Sequence, residues 1–102
     1  MHSVVFITAA NKKEARVIAQ TLLKKKLAVC VTVTKTVESF FWWKKKINRA
    51  QEVLLIVKTK KEKFLALCRT VTSVHSYEVP EIIALPIEAG YRPYLEWLKW
   101  KS

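Results

Sequence analysis

His75, Tyr77, Glu78 and Glu81 fall within one short stretch of the chain, so an imidazole, a phenol and two carboxylates issue from a single turn of backbone. A neutral imidazole suits copper and carboxylates can complete a donor set, which makes His75, Glu78 and Glu81 candidate ligands of a divalent cation. The same residues allow a structural role, with His75 closing a helix while Tyr77 and Pro80 pack at its end. The apolar run Ile82-Ile83-Ala84-Leu85 follows directly and would tie either arrangement to rigid scaffold.

Two further groupings bear on chemistry. Lys44-Lys45-Lys46 is a run of three cations between long apolar stretches, the sharpest anion-binding feature of the chain. Phe40-Phe41-Trp42-Trp43 precedes it, and so large an aromatic block marks an interface or part of the core or, in an alternative reading, a platform for stacking bases.

Catalysis finds little support. The chain has one glycine, which excludes a glycine-rich phosphate loop, and it contains neither aspartate nor a G-x-S-x-G motif. Ser76 adjoins His75, but a nucleophile and its base need facing side chains and a third group to orient them. The expected protein is not an enzyme.

Composition sets the frame. At 102 residues the chain forms one domain, residues 1–102, that buries roughly two thirds of its unfolded surface. With 51% hydrophobic residues it is too apolar for disorder, yet no uncharged apolar run approaches the ~18 residues of a membrane span. The start, Met1-His2-Ser3-Val4-Val5-Phe6, has no basic region leading into an apolar core, so the expected compartment is the cytoplasm and no membrane partner is expected. Cys30 and Cys68 form no C-x-x-C pair and read first as small buried hydrophobes.

Nineteen Lys and Arg against eight acidic residues give a formal charge of +11, which attracts polyanions at low salt. The lysines cluster near the ends of elements rather than along one face. No RNA-binding or helix-turn-helix signature accompanies them, so nucleic acid is not the expected partner.

The elements that must position these residues follow from periodicity. Residues 3–9 are β-branched and aromatic, a short buried strand. Asn11 and Glu14 form a cap-like pair, and Ala15, Ile18, Ala19 and Leu22 repeat at helical spacing, predicting a helix over 11–25. Residues 29–43 form a long strand bent near Thr34-Lys35-Thr36, the three lysines turn the chain, and 47–59 returns as a second long strand. Phe64, Leu67, Cys68 and Val71 predict a helix over 62–74. Pro80 opens a last strand through Ile87, and Gly90 and Pro93 bracket a terminal helix. The order β-α-β-β-α-β with a terminal helix implies an α+β, ferredoxin-like sandwich with a long hairpin between the second and third strands.

Read together, Lys26-Leu27-Ala28-Val29-Cys30-Val31, the aromatic block, the His75–Ile87 stretch and Tyr94-Leu95-Glu96-Trp97-Leu98 resemble the CutA divalent-cation tolerance family over nearly the whole chain. The resemblance implies a PII-like homotrimer built through the long hairpins, an association with divalent metal tolerance, and binding of copper or another divalent cation. The family's copper site is described with a first-strand cysteine and two adjacent histidines; these positions are Ile7, Val74 and His75 here. A metal held by this chain would therefore recruit Glu78, Glu81 or Cys30 beside His75. Ser76 also stands where the family has proline, and Lys45 where it has a turn glycine. The alternative expectation is a basic trimeric scaffold that binds polyanions, or a small ligand in clefts between subunits.

Overall fold

The computed structural model describes residues 1–102 as two layers, a four-stranded sheet and two helices packed on one of its faces. The elements are β1 (His2–Ala9), α1 (Lys12–Lys24), β2 (Cys30–Trp43), β3 (Lys46–Lys60), a 3-10 turn (Lys61–Lys63), α2 (Phe64–Val74), β4 (Ile82–Pro86) and α3 (Arg92–Lys101). The sheet order is β2-β3-β1-β4 with every neighbouring pair antiparallel, the ferredoxin-like arrangement that the element order implied.

Asn11 has extended backbone and its side chain accepts from the Glu14 N–H at 2.9 Å, while Glu14 Oε1 accepts from the Ala10 N–H at 3.3 Å. The first bond satisfies a donor that a helix start leaves free, and the second ties the residue before the cap back to the first turn. Ala15, Ile18, Ala19 and Leu22 then face the sheet, fully or nearly buried against Val5, Ile7, Val53, Leu55 and Val57. Leu67 and Val71 of α2 complete this core. Full burial of each valine, leucine or isoleucine among them contributes about 1.5–3 kcal/mol.

Helix α1 closes through Lys26, which takes φ +57°. The Lys26 N–H donates to Leu23 O at 3.0 Å and the Leu27 N–H to Leu22 O at 2.9 Å, a pattern in which glycine normally holds the left-handed position. Gly90, the sole glycine, has no such conformation; a Cβ there would lie 2.9 Å from Leu95 Cδ2, so its small size serves a close approach.

The expected bend in β2 is a β-bulge. Val33 pairs with Leu55 and Thr36 with Val53, leaving Thr34 and Lys35 opposite Leu54. Thr34 Oγ1 accepts from the Leu54 N–H at 3.0 Å, and Lys12 Nζ donates to Thr34 O at 2.9 Å, so the interrupted ladder keeps its partners. The side-chain faces exchange across the bulge: Val31 and Val33 point to the core, whereas beyond it Phe41 and Trp43 lie on the helix-free face.

Residues 46–52 of β3 run past the end of β1, whose pairing stops at Ala9 opposite Val53. The overhang is roughly 23 Å long. At its tip Trp43 pairs with Lys46 across a two-residue loop in which Lys44 and Lys45 have φ +51° and +62°. Positive φ at both central positions is the type I′ geometry that matches strand twist and favours Asn-Gly.

Two expected boundaries shift. The second helix opens with the separate 3-10 turn before α2 begins at Phe64. Strand β4 begins at Ile82 rather than Pro80, because its pairing with β1 starts at Ile7 opposite Ile82 and ends at Ser3 opposite Pro86. Helix α3 buries Leu98 and is tied to β1 by His2 Nε2 and Ser102 Oγ, 2.8 Å apart.

Candidate functional site

His75 is the residue at which α2 stops, with φ −91° and ψ 141°, and the loop that follows wraps the end of β1. Its side chain is 0% exposed. Nε2 lies 2.7 Å from Thr8 O, and because a carbonyl only accepts, Nε2 carries the hydrogen. Nδ1 accepts from the Tyr77 N–H at 3.0 Å. Both ring nitrogens are therefore committed, one to β1 and one to the loop, and the imidazole joins α2 to the sheet.

Glu14 stands beside this ring, Oε1 3.2 Å from His75 Nδ1, and its other oxygen accepts from the Ser76 N–H at 3.3 Å. Burial alone would raise the Glu14 carboxyl. Hydrogen bonds from Ser76 and Ala10 outweigh it, joined by the charge of His75 whenever that ring is protonated, so this group titrates below the usual carboxylate value. The cap of α1 thus continues into the loop after α2.

Tyr77 leans on His75, ring centroids 4.8 Å apart, and donates its hydroxyl to Glu52 Oε2 at 2.8 Å. Glu52 is itself buried on β3. Burial, the hydrogen bond to Glu52 and the charges of Glu52 and Glu14 push the Tyr77 phenol up to about 12. Tyr77, Glu52 and Glu81 line an open groove of about 840 Å³ along the base of the hairpin, with Thr8, Phe41 and Trp43 in its walls. Arg49 also borders it, paired with Glu38 at 3.0 Å.

Of the residues nominated from sequence, the structure joins His75 to Tyr77 and sets Glu81 in the groove beside Tyr77. Glu78 is exposed and makes none of these contacts. Cys30 pairs with Lys58, four residues along β3 from Leu54, the partner of Thr8, so it stands roughly 13 Å down the sheet from the His75 anchor. No three His, Cys, Asp or Glu side chains lie close enough to hold a metal ion. The donors named from sequence therefore form no ready-made divalent site within one chain.

Glu14 and Glu52, the acidic partners of His75 and Tyr77, were not among those residues. Glu14 had a signal, its place in the α1 cap. Glu52 had none beyond being an acid in a strand rich in β-branched residues. The aromatic block is exposed along the overhang, Trp42 most of all at 73%, and Lys44, Lys45 and Lys46 form its exposed tip.

The model of the CutA1 divalent ion tolerance protein family matches residues 3–101. A divalent-cation tolerance protein CutA of Archaeoglobus fulgidus is 47% identical over 96% of this chain and 95% of its own length. The human protein CutA is 44% identical over 95% of this chain, which spans only 54% of that relative. The solved structure of the periplasmic divalent cation tolerance protein CutA from Archaeoglobus fulgidus superposes with a TM-score of 0.93 at 46% identity, covering 99% of this chain and 98% of the other.

Proposed function

Because the chain belongs to the CutA1 divalent ion tolerance family, we propose that it acts as a homotrimeric, non-catalytic binding module in tolerance to divalent cations, assembled through its overhanging hairpins. The observation that carries this reading is the unpaired apolar surface. Phe40, Phe41, Trp42, Trp43 and Ile47 are all more than two fifths exposed on the overhang. On the helix-free face the register sets Val4 beside Leu85 and Phe6 between Ile56 and Ile83, and Ile83 and Leu85 are exposed. A single protomer has no element left to cover these residues, and burying several of them against other copies contributes about 1.5–3 kcal/mol for each large side chain.

A non-catalytic role agrees with the chemistry of the loop. His75 beside Glu14 has the outline of a base held by a carboxylate, but neither ring nitrogen is free to take a proton from a substrate. The proposal includes a low-affinity copper contact at His75. A ring nitrogen becomes available only when its bond to Thr8 O or the Tyr77 N–H is given up, a cost of about 1–3 kcal/mol that weakens binding roughly 5- to 150-fold. The cytoplasm is the proposed compartment, where Cys30 and Cys68 stay reduced.

Light scattering at micromolar concentration tests the assembly. The expected mass is three times the 11.9 kDa protomer, and Trp42→Asp, which would bury an unpartnered charge in the interface, is expected to lower it. A wild-type mass near that of one protomer would overturn the reading.

A further inference from the structure

Helix α3 and the loop that ends α1 enclose a second pocket, on the side of the molecule away from the His75 loop. Its cavity is about 490 Å³, within the range of about 300–1,000 Å³ typical of small-molecule sites. Lys26, Lys60, Lys63 and Lys101 line it together with Trp97 and Trp100, and no acidic side chain does. Glu62 lies 4.0 Å from the Met1 amino group, and Glu96, 3.9 Å from Arg92, borders with Lys99 the adjoining hollow on the other side of Trp100.

The four cations come from four different segments, and some are fixed. Lys26 is held by the helix closure described above. Lys63 Nζ donates to Lys26 O at 2.7 Å, which leaves two of its three N–H groups for another acceptor. Lys60 ends β3. The positive field reaches His2, whose imidazole is pushed below its usual value first by burial and then by the chain's amino group and Lys60. Trp100 is 87% exposed, so an indole face stands open beside the ammonium groups.

We propose that this pocket binds a phosphorylated planar aromatic molecule, the chemistry of a nucleoside polyphosphate, with the ring stacked on Trp100 and the phosphoryl oxygens on Lys26, Lys60, Lys63 and Lys101. Ammonium groups attract phosphoryl charge without demanding one geometry, and an indole stacks any heteroaromatic ring. An inorganic anion would use only half of the site. The hairpin tip, the other concentration of charge, differs in kind: Lys44, Lys45 and Lys46 border no cavity and so offer charge without walls. This inference does not rest on trimer formation or on metal binding.

The test is titration calorimetry of the full chain at low salt with magnesium-free ATP, inorganic triphosphate and adenosine as separate probes. ATP is expected to bind more tightly than either fragment. Trp100→Ala should weaken ATP about tenfold, in keeping with the loss of one stacked base, and leave triphosphate unchanged. Lys60→Gln with Lys63→Gln should weaken ATP and triphosphate alike and flatten their salt dependence. Lys44→Gln, Lys45→Gln and Lys46→Gln together should leave ATP binding as it was. Trp100 is so exposed that its truncation is expected to spare the fold, and far-ultraviolet circular dichroism of every variant checks this. ATP binding no tighter than triphosphate, indifference to Trp100→Ala, or equal loss in the hairpin variant would each overturn the assignment.

Discussion

Replacing Lys44-Lys45 by Asn-Gly should stabilise the hairpin, because both lysines occupy the left-handed region at φ +51° and +62°. That conformation costs an ordinary L-residue about 1–2 kcal/mol. Asparagine tolerates it better and glycine bears no cost, but glycine returns about 0.4–1 kcal/mol through the freedom of the unfolded chain. The net gain for the pair is about 1 kcal/mol. The tip extends beyond β1, so opening of the overhang is separable from global unfolding, and hydrogen exchange at the Lys46 amide is the direct readout. A gain of about 1 kcal/mol slows exchange roughly fivefold. If the tip melts with the rest of the protein, the midpoint also rises by about 4–8 °C at equal protomer concentration. Asn48 Nδ2, which donates to Trp43 O at 3.0 Å and Lys46 O at 3.1 Å, braces the same turn in both proteins and cancels in the comparison. Lys44→Gln with Lys45→Gln serves as control, since it removes the charges and keeps the strained φ. Exchange unchanged in the Asn-Gly protein, or slowed equally in the control, would refute backbone strain as the cause.

Tyr77→Phe removes the 2.8 Å hydrogen bond to the buried Glu52 and should cost about 1–3 kcal/mol in thermal or urea unfolding at neutral pH. The Tyr77 phenol titrates at about 12 in the folded protein against 10 unfolded, so its contribution is complete below pH 10 and lost as pH rises through 12; a wild type that shows no such alkaline loss relative to Tyr77→Phe would contradict the assignment. Calorimetric titration of copper(II) should give weak binding that His75→Ala reduces further, and an undiminished affinity in that variant would remove His75 from the metal reading.

The layers, the helix faces and the hairpin were legible because each is a local signal. Ala15, Ile18 and Leu22 declare one face of α1, Asn11 with Glu14 declares its start, and the interruption at Thr34-Lys35 marks the bulge. The partners of His75 and Tyr77 were not legible, because they arise from chain crossings. His75 meets Thr8 across 67 residues and Tyr77 meets Glu52 across 25, and no periodicity in either segment records the other. Closeness in sequence drew attention to Glu78 instead, whereas the backbone turn after α2 sends the imidazole inward and leaves Glu78 outside. The bulge hid the hairpin faces in the same way: a strict two-residue alternation carried on from Val31 and Val33 would assign Phe41 and Trp43 to the core side, and one extra residue reverses them.

A chain with one glycine has to place other residues in left-handed backbone, and here lysine takes all three such positions, Lys26, Lys44 and Lys45. The two settings differ in what the side chain meets. At the hairpin tip the ammonium groups point into solvent, so strain there is offset by nothing in the fold and glycine is the better residue for stability. At Lys26 the same strain accompanies a carbonyl that receives Lys63 Nζ and a residue that lines the pocket with Trp97 and Trp100. Glycine at position 26 would relax the helix closure and keep the carbonyl, yet remove one of the four lysines that line the pocket. A strained residue with a converging environment is a stronger pointer to function than a strained residue in open solvent, and on that ground the α3 pocket, rather than the more conspicuous lysine run, is where the excess positive charge finds a use.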